Sequence, residues 1–166
     1  MKLSKNFSLS EFTKSATAAR EGIDNTPNGE HLENLRYVVE TVAQPLRTAF
    51  GKPVTVNSGY RSKALNEAVG GSSRSQHCNG EAVDLEINGV ANKAVADWIT
   101  ANCEFDQIIL EFYNPEEGEN SGWVHVSAKQ DGNNRRQKLI AFKDGKTTRY
   151  VEVDDFDPDD NYEQYL

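Results

Sequence analysis

His77, Asp84 and His125 are residues of this 166-residue chain whose types suit a metal ion. Two imidazoles and one carboxylate are ligands that zinc takes, and three protein ligands leave a fourth position for water, as in catalytic sites. Zinc lowers the pKa of such a water to about 7 and polarises a carbonyl. A further carboxylate nearby can then take the water's proton. The His-x6-Asp spacing alone is a weak pattern. The stronger signal is where these residues fall in the alternation of three apolar segments.

Residues 82–87 alternate as a strand, with Val83, Leu85 and Ile87 on one face and Asp84 on the other between Ala82 and Glu86. In 107–113, Glu111 shares a face with Gln107, Ile109 and Tyr113, opposite Ile108, Leu110 and Phe112. In 123–127, His125 lies with Trp123 and Ser127, opposite Val124 and Val126. If the three strands are neighbours in one sheet, its second face gathers Asp84, Glu111 and His125. His77 lies in the loop leading into the first of them.

The elements around these strands are also legible. Ser8-x-x-Glu11 is a capping box and predicts a helix from Ser8 through Arg20. Leu32, Leu35, Val39, Val42, Leu46 and Phe50 recur at helical steps, predicting a long helix over 30–50 that Pro45 kinks or restarts. A short strand is expected over 54–57, and helices over 62–69 and 92–102. Asp144-Gly145 between 138–142 and 147–153 reads as a hairpin. Helices come early and strands late, which predicts an α+β domain: a small antiparallel sheet with helices packed on one face and the zinc site on the other.

The motifs Ser58-Gly59-Tyr60-Arg61-Ser62, Ser75-Gln76-His77-x-x-Gly80-x-Ala82-x-Asp84 and Trp123-Val124-His125-Val126-Ser127, with Asn66 and Val69-Gly70-Gly71 between them, resemble the D-alanyl-D-alanine carboxypeptidase family of zinc peptidases. The compact branch common in bacteriophage genomes is the nearest match, over about residues 7–130. The resemblance implies zinc on His77, Asp84 and His125, and a substrate-facing Arg61, whose planar fork suits a carboxylate or a polarised carbonyl oxygen. It places Ser75 and Gln76 in the same pocket. Several relatives carry the catalytic acid three residues before the last histidine ligand, where this chain has Gly122. Glu111 is the expected substitute, with Glu116, Glu117 and Glu119 of the following loop as rivals.

The implied activity is hydrolysis of a peptide bond in a peptidoglycan stem peptide, by a D,D-carboxypeptidase or an L,D-type endopeptidase. The implied setting is phage lysis or cell-wall penetration. The rival from another class is a non-catalytic zinc-binding module of a virion, since the same fold serves hedgehog signalling domains without catalysis. Arg61 has a structural alternative as an ion-pair partner of Asp84 or Glu86. Trp123 is either a substrate platform or strand packing. Cys78 adjoins a proposed ligand, but adjacent side chains diverge in extended chain, so it is set aside as a ligand.

Composition narrows the rest. The net charge of −8 argues against nucleic acid as a partner, and no apolar run reaches the ~18 residues of a membrane span. Residues 154–166 hold six acids and no Lys or Arg, which leaves 1–153 near −2. The expected organisation is therefore a zinc peptidase domain over 1–153 and an acidic tail over 154–166. The N-terminus lacks the apolar run of a signal peptide, so synthesis in the host cytoplasm and action on the wall after release are expected. Two cysteines, Cys78 and Cys103, predict free thiols. The chain is expected to be a monomer.

Overall fold

A computed structural model describes residues 1–156. The predicted apolar stripe becomes one helical rod: α3 (Gly29–Val38), a π turn (Val39–Ala43) and α4 (Gln44–Phe50). Leu35, Val38, Val39, Val42 and Leu46 on its inner side are fully buried. Pro45 has no N–H to return to the carbonyl of Thr41, and the chain answers by widening one turn, with the Gln44 N–H reaching back five residues to Val39 O. The rod therefore continues through the proline.

The N-terminal helix expected over 8–20 is instead two, α1 (Leu9–Thr13) and α2 (Ala16–Glu21). The capping box at Ser8 and Glu11 forms. Lys14 then takes an extended conformation, and Ser15 starts the second helix by accepting a hydrogen bond from Ala18 N. A serine that satisfies an orphan helix donor competes with helix continuation.

One six-stranded sheet carries β1 (Val54–Ser58), β2 (Ala82–Ile87), β3 (Gln107–Glu111), β4 (Trp123–Ser127), β5 (Gln137–Asp144) and β6 (Thr147–Glu152), in the order β1-β2-β4-β3-β5-β6. Between them lie α5 (Lys63–Ala68), a 3-10 turn (Gln76–Asn79) and α6 (Asn92–Asn102). This is the expected α+β architecture. Among the late strands, β3–β4 and β5–β6 pair antiparallel, but β5 joins β3 in parallel. The chain reverses after β4, passes over β3 and lands on its far side, so β5 runs the same way as β3.

Val83, Leu85, Ile87, Ile108, Leu110, Val124 and Val126 lie in the main apolar cluster together with the rod and with Val95 and Ile99 of α6. Burying that face leaves the alternate residues of the same strands on the other. Phe156, the first aromatic of the acidic segment, is also buried in this cluster. The remainder of the predicted tail lies outside the described residues. Both cysteines are free thiols. Among the described residues no helix is long and apolar enough to cross a membrane.

Candidate active site

The strand register brings two of the proposed ligands side by side. Asp84 on β2 pairs with His125 on β4, and His125 pairs on its other side with Ile109 on β3. Directly opposed residues share a face, so Asp84 and His125 stand together opposite the apolar cluster. The Nδ1 of His125 lies 3.0 Å from Asp84 Oδ1, and the Nε2 of His77 lies 3.3 Å from the same oxygen. One ligand atom from each of the three residues falls within 4.8 Å of the others.

His77 reaches this point from the 3-10 turn, not from a strand. Ser75 Oγ accepts from His77 N at 3.3 Å and starts that turn. The ring Nδ1 lies 2.7 Å from Gly59 O, which can only accept, so Nδ1 donates and Nε2 is left with its lone pair. That Nε2 is buried and has no hydrogen-bond partner among the described residues; its 3.3 Å contact with Asp84 lacks hydrogen-bond geometry. Arg61 N also donates to His77 O at 3.1 Å. Both motifs are thus tied together, the Ser-Gly-Tyr-Arg loop fixing the tautomer of the histidine.

These residues fit a tetrahedral ion. Bonds of ~2.0–2.1 Å give donor separations of about 3.3 Å along a tetrahedron's edges, close to the two distances seen here. The donors are two nitrogens and an oxygen, and an outer carbonyl orients one imidazole, as around bound zinc. Desolvation lowers the His77 pKa, which favours the neutral ring that a ligand requires. For Asp84, burial works upward, but the neighbouring His77 and His125 outweigh it and hold the carboxyl well below its usual range.

Glu111 ends β3 opposite Trp123 on β4, on the same face as His125. Its pKa is pushed up to about 7, by burial first and then by the charge of Asp84, against smaller opposing effects of His125, Trp123 and Arg61. A cation held by the three ligands would counter the Asp84 charge and draw this value back down. Glu111 lines a cavity of about 790 Å³ together with His77, Asp84, His125 and Arg61. Glu116, Glu117 and Glu119 are exposed in the loop after β3 and do not line it.

Gly122 has a structural reason. Its φ is +65°, and a Cβ there would collide with the Glu111 carbonyl and lie 2.6 Å from Phe112 C. The glycine lets the chain entering β4 close against the end of β3, where Glu111 sits.

Of the remaining expected site residues, Ser75, Gln76 and Trp123 all line the same cavity. The Trp123 ring lies 5.4 Å from that of Phe112. Arg61 makes no ion pair with Asp84 or Glu86 among the described residues. Its Nη1 donates to Asn66 Oδ1 at 3.2 Å, and its buried Nε has no partner there. A Cβ at Gly71 would collide with that Asn66 oxygen and come within 2.9 Å of Arg61 Nη1, so the Gly70-Gly71 turn makes room for the arginine.

Two positioning residues escape sequence reasoning. Asn25, in a stretch that reads only as loop, donates to Thr13 O and Tyr60 O and accepts from Ser62 N, holding the Arg61 loop from both sides. Asp106, just before β3, is fully buried and accepts from Arg135 and from Gln76. Neither sits in a periodic pattern that marks it.

The chain is also similar to known proteins. A family model described as Peptidase M15 matches residues 5–127. A curated relative, the Zinc D-Ala-D-Ala carboxypeptidase of Streptomyces albus G, is 54% identical over 43 residues, which is 25% of this chain and 17% of that protein. The match thus spans about a sixth of the relative's length.

Proposed function

The chain belongs to the peptidase M15 family, and from that membership we propose that it is a zinc-dependent peptidase that hydrolyses a peptide bond in peptidoglycan stem peptides. The observation that carries this reading is the convergence of His77 Nε2, Asp84 Oδ1 and His125 Nδ1 beside Glu111 in one open cavity. His77, Asp84 and His125 would hold the zinc, on the sheet face opposite the rod. When bound, zinc would supply Lewis-acid polarisation of the scissile carbonyl and make a water acidic enough to attack near neutral pH.

The chain's own residues do the rest. Glu111, half-buried at the end of β3, accepts the proton of the attacking water and returns it to the departing amine. Arg61 lines the same cavity, and its planar guanidinium suits a substrate carboxylate or the carbonyl oxygen as charge builds on it. The Gly59 carbonyl keeps the His77 proton on Nδ1. Ser75, Gln76 and Trp123 line the path of the peptide.

The relative's name favours a bond next to D-alanine. The finer reading, a lysis or wall-penetration enzyme of a bacteriophage acting after release, rests on the sequence resemblance. Digestion of purified peptidoglycan with the zinc-loaded protein, followed by mass analysis, tests both activity and bond. Release of stem-peptide fragments or of free alanine, abolished by a chelator and restored by zinc, is the expected result. Intact peptidoglycan with one zinc bound per chain would mean a binding module.

A further inference from the structure

Among the described residues only three large apolar side chains stand well out of the protein: Met1, Val69 and Tyr150, at 73%, 45% and 57% exposure. Met1 is the chain terminus. Val69 and Tyr150 both line the cavity that holds the metal-ligand cluster. Apolar side chains set among a few polar groups are the usual lining of a concave ligand site.

Tyr150 owes its place to the strands beyond the family match, which ends at residue 127. Trp123, Glu111, Ala141 and Tyr150 form one row across β4, β3, β5 and β6, since Glu111 pairs with Trp123 and Ala141, and Ala141 pairs with Tyr150. Three of the four line the cavity. The exception is Ala141, 3% exposed, which lies between Glu111 and Tyr150 in this row. Burial and the charges of Glu111 and Asp84 raise the Tyr150 pKa, as expected of a phenol close to that centre. Val69 caps the C-terminus of α5, next to the Gly70-Gly71 turn that makes room for Arg61.

We propose that Tyr150 and Val69 are substrate-contacting residues, two apolar walls that hold the aliphatic side chain flanking the scissile bond, an alanine methyl or the methylene stem of a longer residue. This assignment rests on the peptidase reading above. Both side chains are exposed, so shortening them removes contact area without opening the core.

The test uses the full chain loaded with zinc. Peptidoglycan digestion by the wild type identifies the bond, and a synthetic peptide spanning it is compared with a counterpart whose flanking alanine is glycine. Tyr150→Ala is expected to lower kcat/KM on the alanine peptide about tenfold, chiefly through KM, and to shrink the preference for alanine over glycine. Val69→Ser acts the same way by about threefold, and Tyr150→Phe stays within twofold, because the ring makes the contact. Melting temperature and zinc content are expected to stay unchanged in all three. Wild-type kcat/KM and alanine preference in Tyr150→Ala overturn the assignment while leaving the peptidase reading intact. Equal damage in Tyr150→Phe and Tyr150→Ala overturns the apolar wall in favour of a hydroxyl contact. A wild type that releases nothing from peptidoglycan defeats the peptidase reading and removes the wall with it.

Discussion

Asp84 and Asp106 are both buried aspartates with depressed pKa values, and they do opposite things. Burial alone would raise both. At Asp106 the hydrogen bonds of Arg135 outweigh burial and bring the carboxyl down to about 2, with Gln76 helping. Its Oδ1 accepts from Arg135 N and Nε, and its Oδ2 from Arg135 Nη2 and Gln76 Nε2, all within 3.0 Å. Such a carboxylate has nothing left to offer a ligand. At Asp84 the neighbours are two imidazoles, one of which aims a buried, unpaired nitrogen at the same oxygen. What separates a structural carboxylate from a candidate metal ligand is thus neither residue type nor burial but whether its partners are saturated donors.

Removing each aspartate breaks the comparison most directly. Asp84→Ala is expected to abolish zinc binding, measured as metal per chain after dialysis, and with it all measurable peptide hydrolysis. Next in size, Glu111→Gln should keep about one zinc per chain and lower kcat by ~10²–10⁴-fold, the usual worth of a general base. Normal turnover in that variant would move the base elsewhere. Asp106→Ala works on the other axis. It strands Arg135 and Gln76 and is expected to cost about 3 kcal/mol in denaturant unfolding, at the low end for a broken buried pair because Arg135 is half exposed.

The smallest effect is a pH signature. The Asp106 carboxyl sits at about 2 in the folded chain, against 3.8 ordinarily. The unfolded chain therefore takes up its proton first as pH falls. The stability from this group is complete above about pH 4 and is lost progressively from there toward pH 2. Asp106→Asn should flatten that limb of the unfolding curve. An acid limb identical to wild type would mean that Arg135 does not hold the carboxylate charged.

The strands that carry the site were legible because alternation is a local property. Asp84, Glu111 and His125 each interrupt a period-two pattern whose other face is apolar, and a sheet buried on one face must show them together on the other. The helical rod was legible for the same reason, and Pro45 marks the place where a π turn leads into α4. The split between α1 and α2 was not, because Ser15 reads equally well inside a helix or at its start until its oxygen is seen to accept from Ala18 N. Asn25 and Asp106 were hidden because their partners lie 12 to 37 and 29 to 30 positions away.

By itself, then, the sequence determined the α+β class, the free thiols and the set of residues to expect at the centre. Those follow from residue type, local period and motif. The tertiary structure decided strand order, the parallel entry of β5 beside β3, the tautomer of His77 and the company of Glu111. It also brought Tyr150 across Ala141 to the cleft. Each of these depends on which distant segments touch, and that is set by how one apolar face is buried over the whole chain rather than by any short stretch of it.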